Sequence, residues 1–257
     1  MNAGLIAPLG SVFALTTCVW VASVRARDAS LVDRFWGPGF ALAAWTGVAL
    51  NGAWHPRALL VASLVTLWGV RLGWHIARRN AGHGEDPRYA AMRANSPASF
   101  WWTSFFTVFT LQAVLLWIVA LPLWAVSRAD APRAFAPLDA VALLLFAIGF
   151  AFEVIGDAQL AAFKRDGANR GRVMDRGLWA WTRHPNYFGD ATLWWGFGVF
   201  ALSTPGAWWT LAGPLLMTVL LVRVSGAALL ERSMSARPGW AEYAARTSGF
   251  FPLPPRR

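Results

Sequence analysis

Cysteine occurs once in the 257 residues, as Cys18, and lysine once, as Lys164. A lone cysteine inside an apolar segment excludes an intrachain disulfide and a multi-cysteine metal site, and it leaves the redox compartment unread. The four histidines, His55, His75, His83 and His184, stand singly. Metal ligands cluster at ligand spacing, so no metal is expected. The chain also has no phosphate-binding loop of the Walker type, no GxSxG and no GxGxxG. A Rossmann domain is thereby excluded, and any nucleotide must be held by the rest of the chain itself. Internal repeats of the transporter kind and low-complexity linkers are missing as well, so a single domain over 1–257 is the simplest organisation.

Charge is scarce too, at 14% of residues, against 56% hydrophobic residues, a mean hydropathy of +0.42 and 17 tryptophans. So much apolar and aromatic surface belongs to a chain whose solvent is the bilayer, with tryptophan at its interfaces. Apolar runs of about 20 residues span. Seven are read, at roughly 4–24, 35–53, 58–77, 100–126, 138–163, 187–204 and 206–230. Each must be helical, since hydrocarbon offers the backbone no other partner. The expected fold is an all-α integral membrane bundle of about seven transmembrane helices. Arg25 and Arg27 follow the first run instead of preceding it, unlike a cleaved signal peptide, so that run is expected to stay in the mature protein.

The 23 cationic residues set the expected orientation. Segments 25–34, 78–98, 164–186 and 223–257 hold three, four, six and six of them, whereas the alternate connections hold only Arg57, Arg128 and Arg133. By the positive-inside rule the four rich segments are cytoplasmic, with the amino terminus outside and the tail inside. Topology alone explains a modest arginine excess. It does not explain why Lys164, Arg165, Arg170, Arg172, Arg176 and Arg183 crowd one connection with Gly167, Gly171 and Gly177. Planar guanidinium donors and glycine-permitted close approach of the backbone suit a polyphosphate, although acidic headgroups could use the same patch. Nucleic acid is not expected, because no recognition motif or stacking platform accompanies the arginines.

The spans flanking that connection carry polar groups at depth, where an ionisable side chain is a functional candidate by default. Glu153, Asp157 and Lys164, at i, i+4 and i+11, share one helical stripe. Pro185 suits a first helical turn, whose free amides near Asn186 and Tyr187 would point at a ligand, and Asn186 and Asp190 then stack at i and i+4. The bland alternative is that Asp157, Asp190, Arg71 and Arg223 are interhelical salt bridges that hold the bundle together.

Residues 152–196, with Glu153-x3-Asp157, Lys164, Arg172, Gly177-Leu178 and His184-Pro-Asn-Tyr-Phe-Gly-Asp190, resemble the carboxy-terminal half of the steroid 5α-reductase superfamily, and more closely its bacterial DUF1295-type branch. In those reductases an Asn-x3-Asp on one helix, an arginine-bearing loop and an Asn-Phe-Leu-Gly-Glu on the next hold NADPH. The spacing from Asp157 to Asn186 matches without a gap. The resemblance therefore implies cofactor contacts at Glu153, Asp157, Lys164, Arg172, Asn186, Tyr187 and Asp190. Three positions depart from the pattern: Glu153 stands in place of Asn, Lys164 of Arg and Asp190 of Glu. A Glu for an Asn removes a donor. The likeness continues through Glu231 to Gly249-Phe-Phe-Pro252, which adds Arg223 and Glu231 to the expected cofactor cavity, while an amphipathic tail that merely caps the bundle is the other reading.

Residues 136–257 would then hold the cofactor and 1–135 the substrate, where the likeness is one of topology more than motif. Asp33 approximates the place of a catalytic glutamate in the reductases, and Asp33, Tyr89 and His75 are the catalytic candidates. A protonated acid or a tyrosine aimed at a carbonyl oxygen would stabilise the enolate left by hydride addition. Asp33 could instead pair with Arg34 or Arg71, Tyr89 could be an interfacial anchor, His75 a satisfied buried histidine, and Gln112 a bond to a neighbouring helix. The activity implied is an NADPH-dependent reduction of a carbon–carbon double bond in a lipid-soluble steroid, prenoid or fatty acyl substrate, in a multi-pass protein of a bacterial inner membrane whose site opens to the cytoplasm. Two other readings stay open. One is a membrane methyltransferase resembling the isoprenylcysteine carboxyl methyltransferases, which share an Arg-His-Pro-x-Tyr run and would use S-adenosylmethionine. The other is a non-catalytic lipid-binding or transport protein.

Overall fold

With no water to satisfy amides and carbonyls, an apolar run closes its hydrogen bonds within itself. The computed structural model, which describes residues 3–224 and 226–256, is accordingly 75% helical with no strand among the described residues. Among the described residues five helices are long and apolar enough to cross a membrane: Leu5–Ala26, Pro56–Asn80, Phe100–Val119, Pro137–Arg165 and Ala207–Met234. The other two expected spans coincide with helices Leu31–Leu50 and Pro185–Leu202, both of which open on polar turns.

The described chain forms two units, Met1–Ala136 with Ala201–Thr210, and Pro137–Phe200 with Leu211–Arg257. The first contains α1 (Ala3–Ala26), α2 (Leu31–Leu50), α3 (Pro56–Asn80), the short α4 (Pro87–Asn95), α5 (Phe100–Val119) and α6 (Leu121–Val126). Helices α2 and α3 pack backbone to backbone: a Cβ on Gly37 would lie 2.3 Å from the Gly69 carbonyl oxygen, and one on Gly69 equally close to that of Gly37. Only glycine permits that approach. Helix α4 starts where it does because Pro87 occupies its first turn and the Asp86 side chain accepts the Arg88 amide at 3.0 Å. Its Tyr89 is thereby driven into a core of Val19, Ala29, Val32, Phe100, Val108 and Phe109. Within α5, residues Phe105–Thr110 form a π-helical turn, a register change often found beside functional groups.

Trp54 precedes α3 and Trp74 lies near its far end, both strongly exposed. At 1.5 Å per residue the 18 positions from Pro56 to Trp74 rise roughly 27 Å, close to the hydrocarbon thickness. Interfacial tryptophans at that separation fit a spanning helix.

The second unit contains α7 (Pro137–Arg165), α8 (Leu178–Trp181), α9 (Pro185–Leu202), α10 (Ala212–Val219), α11 (Ala227–Met234) and α12 (Trp240–Arg246), with a second π turn at Leu220–Val224. Exposed Leu144, Ile148 and Ile155 give α7 an apolar outer face. Its inner face meets α9 through glycines: a Cβ on Gly149 would stand 2.4 Å from the Gly189 carbonyl oxygen, and the reverse distance is the same. Phe146, Leu193, Trp194 and Phe197 fill the interior around that crossing.

Candidate functional site

Two polar clusters stand out, one in each unit. In the first unit Asp33 lies in the opening turn of α2, ahead of the apolar stretch of that helix, and Tyr89 comes from α4. The Tyr89 hydroxyl donates to Asp33 Oδ1 at 2.8 Å and accepts from Gln112 Nε2 at 3.1 Å. Arg88 Nη2 donates to the other oxygen, Asp33 Oδ2, at 3.0 Å, and Arg88 Nε is held by Asp86 Oδ1 at 2.9 Å. The expected candidates Asp33 and Tyr89 are thus in contact. Asp33 pairs with Arg88, Arg34 pairs with Asp28, and Tyr89 is a buried, doubly bonded group, not an interfacial anchor. His75 sits half-buried on α3.

Burial raises the Asp33 carboxyl above the usual carboxylate range, against the pull of the Arg88 charge and the Tyr89 hydroxyl. Burial, and then the negative charge of Asp33, push the Tyr89 phenol well above its ordinary value. Asp86 goes the other way: burial would raise it, but hydrogen bonds from the Arg88 side chain and amide hold it below the usual range. Two carboxyls bonded to the same arginine are pushed apart in acidity, the pattern that separates a proton donor from a fixed anion. Sequence reasoning missed Arg88. Its signal was present in Asp86-Pro87, which marks a helix start and so fixes the direction of the residues that follow.

The second cluster grows from the α7–α9 crossing. Gly156, one turn beyond Glu153, lets Pro185 approach to 3.2 Å, measured from a would-be Cβ on that glycine. The contact brings Asn186 Nδ2 to 3.1 Å from Asp157 Oδ1. Asn186 Oδ1 accepts the Tyr187 amide at 3.1 Å, so that amide serves the asparagine and does not point freely outward. Glu153, Asp157 and Asp190 are all buried. Lys164 ends α7 two turns further on, exposed.

The connection that follows behaves as its composition implies. Gly171 and Gly177 adopt φ of 80° and 59°, accessible to glycine without cost. Arg165, Arg170, Arg172 and Arg176 are exposed and make no ion pair among the described residues. Arg183 is different. Its Nε bonds Glu231 Oε1 at 2.8 Å and its Nη1 bonds the Ala244 carbonyl at 2.9 Å, while its amide donates to the Ser248 carbonyl. His184 Nε2 meets the same Glu231 oxygen at 3.0 Å, and its ring stacks on Tyr187 at 5.6 Å. Glu231 and Arg183 therefore anchor the tail to the start of α9. Tyr243, which donates to the Trp179 carbonyl at 2.7 Å, and Thr182, which donates to that of Phe250 at 2.8 Å, fasten the rest. Arg223 lies exposed in the second π turn.

A model of the family "Protein of unknown function (DUF1295)" matches residues 19–247. The chain belongs to that family. DUF1295 is associated with the steroid 5α-reductase-like superfamily. A Schizosaccharomyces pombe protein described as "Uncharacterized protein C594.04c" is 30% identical in an alignment that covers 73% of this chain. The chain spans 62% of the length of that curated relative. No solved structure matches the chain. DUF1295 membership covers both clusters, from Asp33 to Tyr243, and agrees with the resemblance carried by residues 152–196.

Proposed function

We propose that the chain is an NADPH-dependent reductase of a carbon–carbon double bond in a lipid-like, carbonyl-conjugated substrate. The observation that carries this reading is the second unit's combination of a buried Asp157 bonded to Asn186 at the start of α9 with four arginines that make no ion pair among the described residues, one at the end of α7 and three in the connection that follows. That donor set fits a phosphorylated dinucleotide. Carboxylate and amide groups bond hydroxyls and a carboxamide, and guanidinium forks bond phosphates. S-adenosylmethionine, which has no phosphate, would leave those arginines without a ligand.

When bound, NADPH supplies a hydride. Asp157 and Asn186 would orient it, each fixing the other, and Glu153 and Asp190 lie within one turn of the same crossing. Arg170, Arg172 and Arg176 would hold its phosphates. In the first unit a protonated Asp33 would donate to the Tyr89 oxygen, reversing the bond seen here and turning the phenol proton toward the carbonyl oxygen of the substrate. Reduction would place a hydride on the β-carbon of the conjugated system and negative charge on that oxygen, which the Tyr89 hydroxyl would stabilise, and the α-carbon would take its proton from water. Asp33 is kept protonated over a wider range by burial, and Gln112 and Arg88 fix the geometry of the pair.

The test is thermal unfolding of the purified chain in detergent. NADPH at about 100 times its dissociation constant stabilises by about 2.7 kcal/mol through mass action. Asp157→Ala and Asn186→Ala remove that response and leave the apo protein folded. Stabilisation by S-adenosylmethionine without any by NADPH overturns the reductase reading in favour of a methyltransferase.

A further inference from the structure

Within the first unit a cavity of about 460 Å³ opens between the end of α1 and the start of α5, with neither Asp33 nor Tyr89 in its lining. It is lined by Arg27 and Arg93, by Phe100 and Trp101, and by the buried Ser23 and Ser104. Its size is that of a small-molecule site. We infer that it binds the headgroup of an anionic phospholipid.

The backbone of Arg27 is the first argument. Helix α1 closes with the Asp28 amide on the Ser23 carbonyl at 3.0 Å and the Arg27 amide on that of Val24 at 3.4 Å. That is the Schellman pattern, whose left-handed residue is usually glycine. Here it is Arg27, at φ 52°, the one non-glycine with positive φ among the described residues. A residue held where glycine fits better is retained for its side chain. The Arg27 guanidinium is exposed and makes no ion pair among the described residues, so nothing inside the protein uses it.

Arg93 is the second. Glu85 grips its Nε and Nη2 at 2.9 and 2.8 Å and is itself fixed by the Ala29 amide at 2.7 Å, while the guanidinium lies 4.6 Å from the Phe100 ring centroid. The Glu85 charge cancels that of Arg93 but leaves its Nη1 a rigidly held donor. The hydroxyls of Ser23 and Ser104 donate to the Trp20 and Trp101 carbonyls, which leaves them acceptors toward the cavity. A net cation, two guanidiniums and hydroxyl acceptors suit a phosphodiester carrying a polyol. The exposed Trp101 and the half-buried Val24 offer the adjoining acyl carbons an apolar wall. This end of the unit also carries Arg25, Arg78, Arg79 and Arg88, as befits the leaflet richest in acidic lipid.

The experiment compares thermal unfolding of the full chain in detergent with dioleoylphosphatidylglycerol, with dioleoylphosphatidylcholine and with soluble glycerol 3-phosphate. The phosphatidylglycerol is expected to raise Tm above the value in phosphatidylcholine, and glycerol 3-phosphate to leave it unmoved. Arg27→Gly is expected to raise the Tm of the lipid-free protein, because glycine suits the helix end, and at the same time to abolish the difference between the two lipids. Arg25→Gln, two residues away, is expected to keep that difference. Equal shifts with both lipids, or a full phosphatidylglycerol preference in Arg27→Gly, would overturn the inference. A shift reproduced by glycerol 3-phosphate alone would overturn the lipid assignment and make the ligand a free phosphate ester.

Discussion

Both units are organised around a glycine–glycine crossing, Gly37 with Gly69 in one and Gly149 with Gly189 in the other, and each places its acids within a turn or two of it. They differ in how the acids are satisfied. Asp33 lies one turn before Gly37, and its partners Arg88 and Tyr89 arrive from a separate short helix. Asp157 is met across its own crossing, by Asn186 on the facing helix. The first cluster is closed, with every polar atom of the Tyr89 hydroxyl used. The second keeps four arginines in reserve on the neighbouring connection. A closed cluster suits proton chemistry, where geometry and acidity must be set before the substrate arrives. An open one suits a ligand that brings its own charge.

The largest effect should come from the closed cluster. Tyr89→Phe removes one hydroxyl from the chain that runs from Gln112 to Asp33, and a positioned general acid contributes on the order of 10²–10⁴-fold in rate. Turnover, followed as NADPH oxidation with a lipid enone, is expected to fall by that range while the NADPH-induced thermal shift persists. Loss of both together would mean that Tyr89 serves the fold and would erase the division of labour between the two clusters.

Next in size are the crossings. A Cβ at Gly149 or at Gly37 meets backbone oxygen at 2.4 or 2.3 Å, and backbone cannot swing aside as a side chain can. Gly149→Ala and Gly37→Ala are each expected to destabilise by about 1–3 kcal/mol, the usual cost of overpacking, read as a loss of Tm in detergent. Gly149→Ala should also weaken NADPH stabilisation, since it parts Asp157 from Asn186. Gly37→Ala should not. Equal NADPH responses in the two variants would show that the Asp157–Asn186 contact does not depend on its crossing.

Those contrasts also mark what was readable beforehand. Acids inside apolar runs announce themselves, because their burial is costly unless used, and Pro185 announces the start of α9 because its missing amide proton is harmless only there. The same reasoning could not find the partner of Glu231. That residue is expected in a cofactor cavity, and its carboxylate meets Arg183 and His184, nearly fifty positions earlier in the chain. Pairing at that distance leaves no periodic trace. The π turn at Phe105–Thr110 was equally hidden, since it adds one residue to a helical turn without altering composition. Gln112, which follows that turn, was readable only as a polar group seeking a neighbour, and the neighbour is Tyr89.

The smallest effect concerns the anchor of the second unit's tail. Burial of the His184 ring, almost wholly sealed from solvent, lowers its pKa below the ordinary 6.5, while the hydrogen bond and charge of Glu231 oppose that shift without cancelling it. A histidine whose folded pKa is depressed stabilises the fold above its unfolded pKa, because there both states are neutral. Below about 6.5 the unfolded chain takes up the proton first, and the contribution is lost as pH falls through the folded value, at no more than about 1.4 kcal/mol per pH unit for one proton. Tm should therefore decline from pH 6.5 toward about pH 5 more steeply in the native chain than in His184→Gln, which carries no titrating ring. The first unit supplies the contrast. Asp33, with its raised pKa, opposes the loss: its carboxyl binds a proton more readily folded than unfolded, so it favours the fold as pH falls through the folded value. Asp33→Asn should then steepen the acid decline that His184→Gln makes shallower. If both variants track the native chain, neither group titrates in this window, and the electrostatic contrast between the two clusters fails.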